Sequence, residues 1–346
     1  MLPGRSVKYW RISHLAFTKG DTMRARYPTT RVHGLVVAAS LATGFAATAQ
    51  AAQPAQSRAA WKAAILHTAL PAKGCFVSSF PSPVWTREAC VIAPQIPLVP
   101  RTGNGSRTVG DGSDFTATTT GLISSSIGSF DSVKHVKTET GAGQSNAYTL
   151  QLNSQFFSNS PACDGAKNPA SCQAWQQFVF YNPGYVFMQY WLIDYAASCP
   201  KGYFSYGSDC YTNSESISVP SQPIKQLRKL VLTGQSVAGG MDTVTLQTAD
   251  GAFHAVGEDT VVDLADFWQA AEFNIFGPGG GSEADFNAKS TLVVRTTIDD
   301  GTTNAPSCAS EGFTGETNNL NLVQPCTATG GKAPAIVFTE TNKTKK

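Results

Sequence analysis

The sequence predicts an all-β protein, a two-sheet antiparallel β-sandwich with disulfide-pinned loops and an irregular N-terminal arm. Three observations carry this expectation. Between Asn146 and Tyr195 the runs NAYTLQLNSQFF and QAWQQFVFYNPGYVFMQYWLIDY alternate in character, so that Val186, Met188, Tyr190 and Leu192 stand against Phe187, Gln189, Trp191 and Ile193. Aromatic and β-branched residues at period two are the pattern of strands packed sheet against sheet. The composition agrees, since 42% of the 346 residues are hydrophobic and only 14% charged, with 31 Gly and 19 Pro available for turns. Finally, the eight cysteines are an even set, which in an exported chain reads as a disulfide framework.

Four stretches follow in order. Residues 1–22 read as an upstream extension, because Met23 opens a better leader: Arg24, Arg26 and Arg31 form a basic region, Leu35 to Ala47 an apolar one, and Ala49-Gln50-Ala51 a small-x-small cleavage site. Residues 23–51 are therefore expected to be a signal peptide. Their apolar run is too short for an anchor, and no later segment is long and apolar enough to cross a bilayer. Secretion to the medium or cell surface is the expected fate. Residues 52–110 form the arm, with helical spacing at Trp61, Ala64, Ile65 and Thr68, then a Pro-dense stretch pinned by Cys75 and Cys90 in which Trp85 serves as a packing anchor.

The sandwich is expected over 111–346. DFTATTT and SSSIGSFDSV precede the three central strands, and the aromatic loop from Cys199 to Cys210 follows them. IKQLRKLVLT reads as a short helix entering a strand or as one strand. MDTVTLQTADGAFHAV is a hairpin turning at Asp250-Gly251, and Asp263 is placed to cap a turn of helix reaching Trp268. AEFNIFG and STLVVRTTI are strands joined by GPGGGSEADFN, and AIVFTE is the last. The simplest disulfide pairing joins neighbours: Cys75 with Cys90, Cys163 with Cys172, Cys199 with Cys210 and Cys308 with Cys326.

Charge and motif exclude several functions. Residues 1–51 hold seven of the 26 basic and one of the 24 acidic side chains, leaving a mildly acidic body of net −4 with no basic run to bind nucleic acid. There is no Gly-x-Ser-x-Gly elbow, and the run Gly277 to Gly281 lacks the Lys of a phosphate loop. No cysteine pair has zinc-knuckle spacing, and Asp111-Gly-Ser-Asp114 and Glu283-Ala-Asp285 lack a full calcium ladder, so neither metal nor cofactor is expected.

What remains is a carboxylate and a set of amides. Glu272 sits in an otherwise apolar strand, where an acid is costly unless it faces solvent, a cleft or a partner. A carboxylate in a partly dry groove can act as general base on water, and a glutamine N–H can steady an oxyanion. The bland alternative has Glu272 at a solvated strand start and the glutamines in cross-strand ladders. An amide- and aromatic-lined cleft also suits a non-catalytic module holding an extended polymer, polypeptide or glycan, and a purely structural surface protein is a third reading.

The order of elements resembles that of the glutamic peptidases, the eqolisins. Their Ala-Glu-Trp strand followed by Ala-Asp/Asn-Phe is similar to Ala271-Glu272-Phe273 followed by Ala284-Asp285-Phe286, and their Gly-Thr/Ser-Phe strand to Gly128-Ser129-Phe130. Their glutamine strand falls where Trp175-Gln176-Gln177-Phe178 precedes Gln189-Tyr190-Trp191. The resemblance implies a concanavalin-like sandwich and peptide-bond hydrolysis in acid, with Glu272 as base and Gln177 as oxyanion donor, Gln176 being the fallback for a one-residue slip. Gln151, Gln176, Gln189 and Trp191 would then line the substrate groove. Departures are the replacement of that family's Trp-Val-Gly-Ile-Asp-Gly strand by Tyr148 to Asn153, Tyr190 at a Glu position, and Phe273 in place of Trp. The chain also resembles a group of uncharacterised exported bacterial proteins, which adds no activity.

Overall fold

Two large antiparallel sheets stack face to face in the computed structural model, which describes residues 57–68, 73–103 and 108–342. The leader assigned to 23–51 and the extension before it lie outside the described residues. A nine-stranded back sheet runs in the order Thr86–Glu88, Cys75–Ser79, Gly251–Glu258, Met241–Gln247, Val231–Gln235, Ser125–Lys134, Thr291–Asp299, Ala335–Thr341 and Asn321–Thr329. The front sheet runs Phe204–Tyr206, Asp209–Asn213, Tyr185–Ile193, Gln173–Asn182, Tyr148–Ser154, Ala270–Phe276, Phe115–Thr118 and Ser307–Ser310, with Glu215–Ser218 and Val91–Ile92 joined at its side.

Alternation along each strand decides what enters the space between sheets. Phe273 and Phe178 of the front sheet point inward, where Phe273 meets Phe130 with ring centroids 5.4 Å apart and Phe178 meets Trp268 at the same separation. Two glycines of the back sheet make room for them. A Cβ on Gly128 would lie 2.0 Å from the Phe273 ring, and one on Gly234 would lie 2.5 Å from the Phe178 ring. Both are close approaches that only glycine permits. Gly128 and Phe130 of the Gly-Ser-Phe stretch thus pack under the strand that carries Glu272.

The four neighbour disulfides form as expected. Trp61 and Ile65 of the helix Arg58–His67 are buried against Ala252 of the back sheet, with Trp85 packed beside them. The arm is irregular only in part: Cys75–Ser79 pairs residue for residue with Gly251 to Ala255, because its alternating apolar side chains complete the sheet's core face. Ile224–Lys229 is a 3-10 helix leading into Val231–Gln235. The hairpin of Met241–Gln247 and Gly251–Glu258 turns through Thr248 to Asp250, with Gly251 opening the second strand. The capping expectation at Asp263 fails. Its φ of 58° is left-handed, its side chain caps nothing, and only a 3-10 turn, Leu264–Asp266, follows. The glycine-rich connection contains a strand of its own, Glu283–Phe286, in a small third sheet with Thr317–Asn318, Glu139–Gly141 and Gln144–Ser145.

Candidate functional site

Register brings the polar residues of six front-sheet strands into one row. Thr116 faces Glu272, Glu272 faces Asn153, Asn153 faces Gln177, Gln177 faces Gln189, and Gln189 faces Asn213. All project from the outer face, opposite to Phe273 and Phe178. Glu272 and Gln177 therefore share a face and a row, with one strand between them, so their backbones stand about 10 Å apart. The amide that touches Glu272 is that of Asn153, whose Nδ2 donates to Glu272 Oε2 at 2.9 Å. Gln177 donates instead to Gln151 Oε1 at 3.1 Å, which also accepts from Asn153 at 3.3 Å.

The carboxyl is held on one side only. Glu272 Oε2 accepts from Asn153 and from the backbone N–H groups of Phe313 and Thr314, at 3.0 and 3.3 Å. Oε1 has no protein donor and faces Gly312, where a Cβ would come within 2.8 Å of it. Burial pushes the Glu272 carboxyl up to about 7, against the pull of its three donors and of the Arg101 guanidinium. Asp114, also buried, is driven well above the carboxylate range by burial and by the proximity of Glu272 and Glu340. Its carboxylate accepts from Asn274 Nδ2, at 3.1 Å for the closer oxygen, and Asn274 donates equally to Glu340.

Two segments roof this row, and every member from Glu272 to Gln189 is fully buried beneath them. One is the loop from Gly312 to Glu316. The other is the arm from Ala93 to Arg101, whose main chain is gripped by the row: Gln189 Oε1 accepts from Leu98 N at 2.7 Å, Gln189 Nε2 donates to Ile96 O at 3.0 Å, and Asn213 donates to Pro94 O at 3.0 Å. Val99 N donates to Glu316 Oε1, and Gly315 N returns a bond to Val99 O. Leu98 packs on Val179 and Phe187, and Val99 on Trp175, Trp191 and Phe313.

Among the other expected groove residues, Gln151 joins the amides of the row, donating to Thr149 and Glu316. Gln176 does not belong to the outer face. One residue from Gln177, it points between the sheets and donates to Asp242 Oδ2 of the back sheet at 2.7 Å, because side chains alternate along a strand. Trp191 is on the outer face but fully buried, stacked on Tyr211 at 5.0 Å and meeting Tyr206 edge-on, so it offers no open ring platform. Asn153, Thr314 and Glu316 are participants that sequence reasoning missed, and Asp114, weighed there only as part of a calcium loop, joins them. The alternation in Leu150 to Asn153 puts Asn153 on the Gln151 face, yet nothing local says that it meets Glu272, 119 residues away.

No group of three or more His, Cys, Asp or Glu side chains arranged to hold a metal ion occurs among the described residues. Nor, among them, is any helix long and apolar enough to cross a membrane. Fold and site together define a disulfide-bonded all-β sandwich carrying a buried carboxyl–amide row beneath a roof made by its own chain. The chain matches no protein-family model, no curated protein and no solved structure.

Proposed function

We propose that the protein is an exported hydrolase of acyl bonds of the glutamic-peptidase kind, acting on polypeptide in acid with Glu272 as general base. The observation that carries this reading is the asymmetry at Glu272. Three donors fix Oε2, while Oε1 is free of protein donors and stands in a row of amides. A water on Oε1 would give its proton to Glu272 as its oxygen adds to the substrate carbonyl. The oxyanion so formed would take the second N–H of the uncharged Gln177 amide, since Asn153 already gives both of its own to Glu272 and Gln151. Collapse then breaks the carbon–nitrogen bond, and Glu272 returns the proton to the leaving amine. In the roofed state burial keeps the carboxyl neutral below about pH 7. Entry of substrate and water rehydrates it and lowers its pKa towards the ordinary carboxylate range, where it can act as a base in mild acid. The four disulfides fit an exported destination.

Digestion of a denatured protein at pH 3–6 tests this directly. The wild-type chain, once its roof is opened, is expected to digest it, and Glu272→Gln to lose the activity while keeping the fold. Digestion unchanged by Glu272→Gln removes Glu272 from the chemistry. A second reading, non-catalytic holding of an extended polymer, is supported by the way Gln189 and Asn213 already bind a main chain. It expects retention on an immobilised polymer that survives Glu272→Gln.

A further inference from the structure

We propose that residues 93–101 are an intramolecular plug, an extended segment occupying in cis the groove that takes a polypeptide main chain, and that its release opens the site. The inference rests on reading the outer face as a working site, and adds its occupant and its control. Four observations lead to it.

First, the floor recognises the segment by its main chain. Gln189 binds the Leu98 N–H and the Ile96 carbonyl, Asn213 the Pro94 carbonyl, and the Tyr211 hydroxyl the Gln95 carbonyl at 3.4 Å. The glycine-rich connection adds Gly280 N to Pro97 O, and the loop from Gly312 to Glu316 adds Gly315 N to Val99 O and, at Phe313 O, a bond from Arg101 N. Contacts of this kind accept any extended chain and select only by the pockets beneath its side chains. Second, the pockets are apolar and aromatic, formed by Val179 and Phe187 under Leu98 and by Trp175 and Trp191 under Val99.

Third, the match is incomplete. Pro94, Pro97 and Pro100 recur at every third position and bring no N–H. Three oxygens of the row, Glu272 Oε1, Asn153 Oδ1 and Gln177 Oε1, have no protein donor although their residues are fully buried, so the segment leaves them unpaired. Each such acceptor weakens the closed form relative to one in which it is paired. A chain without those prolines brings three further N–H groups to the groove, so the plug is an occupant that a better ligand can displace. Fourth, a face covered for purely structural reasons is filled mainly with apolar side chains, as the inner face is by Phe273 and Phe178, with the Gln176–Asp242 pair among its few polar groups. This outer face instead keeps four adjoining polar residues, Glu272, Asn153, Gln177 and Gln189. Anchoring is provided on both flanks: Cys90 is bonded to Cys75 of the back sheet, and Arg101 donates to the Gly312 carbonyl at 2.7 Å and lies over the Phe313 ring. The plug can therefore lift while remaining tethered at Cys90.

The test uses the full chain and a fluorescent nonapeptide of the 93–101 sequence with alanine in place of its three prolines. Leu98→Ser loosens the plug and leaves the floor intact, so it is expected to bind the peptide about ten-fold or more tightly than wild type. Adding Gln189→Ala should abolish the gain. A folded Leu98→Ser variant with no gain, or a gain indifferent to Gln189→Ala, overturns the proposal. Should Leu98→Ser fail to fold, hydrogen exchange on the wild-type protein decides: the Leu98 and Val99 amides are expected to exchange about ten-fold or more faster than those of Gln173–Asn182, and equal protection overturns a releasable plug. Peptide bound but left intact by the opened variant across pH 3–6 upholds the plug and defeats the hydrolase reading, whereas cleavage upholds both.

Discussion

At Glu272 the environment sets both the charge state and the geometry. A carboxyl without water is held neutral unless donors compensate, and here three donors serve one oxygen while the other is bare. Asn153 is the one side chain among those donors, so it positions the carboxyl as well as dividing it from Gln177. Asn153→Ala removes the donor to Glu272 and leaves Gln151 Oε1 with one partner fewer. The expected cost is about 1–3 kcal/mol of stability, read by urea denaturation, together with a rise in the Glu272 pKa, read by NMR titration of the side chain. A variant as stable as wild type with an unmoved pKa would mean that the two backbone N–H groups do the holding alone.

Between elements, the face that meets the back sheet is what holds the Glu272 strand in register. Phe273, next in sequence, fills the space left by Gly128, and Phe178, next to Gln177, fills that left by Gly234. Each functional side chain thus has an inward neighbour locked by a glycine on the opposite sheet. Gly128→Ala or Gly234→Ala drives a methyl group into an aromatic ring in a close-packed interior, and a loss of about 1–3 kcal/mol is expected for each. Chemical denaturation measures it. Peptide hydrolysis or binding should fall alongside stability in Gly128→Ala, whose clash lies directly beneath the Glu272 strand.

Across the whole molecule, buried carboxyls tie stability to acid. Burial raises Glu272 to about 7, Asp242 to about 7 and Glu340 to about 8, each against the pull of its own hydrogen-bond donors. Asp242 takes its donors from Ser236 and Gln176 with Asp259 close by, and Glu340 takes its donors from Asn274 and Asn318. A carboxyl whose folded pKa exceeds its unfolded one stabilises the fold fully below the unfolded value, near 4, and ceases to do so as pH rises through the folded value. The three contributions are therefore present in acid and lost between about pH 4 and 8. His254 acts in the opposite sense. Buried against Thr245 and Trp85, it is held down to about 4, so its contribution is complete above 6.5 and lost as pH falls towards 4. With these three, and with buried Asp114, Glu139 and Glu316 raised in the same sense, against His254, the melting temperature is expected to peak on the acid side of neutrality and to be lower by about 5 °C or more at pH 8 than at pH 5. Scanning calorimetry across that range checks it, and a curve rising towards pH 8 contradicts it.

The sequence by itself determined the strand content, the four neighbour disulfides and the polar identity of Glu272 and Gln177, because period-two alternation, turn residues and short cysteine spacings are local signals. Alternation also separates Gln176 from Gln177, and choosing between them required only knowing which face looks at the back sheet. That choice, and the placing of Asn153 between Glu272 and Gln177, belonged to tertiary structure, since cross-strand register joins residues more than a hundred positions apart. So did the roof. A Pro-rich stretch reads as an irregular arm, and nothing in its residues tells that it lies over the amide row, because what an extended chain covers is decided by where its two ends are fastened.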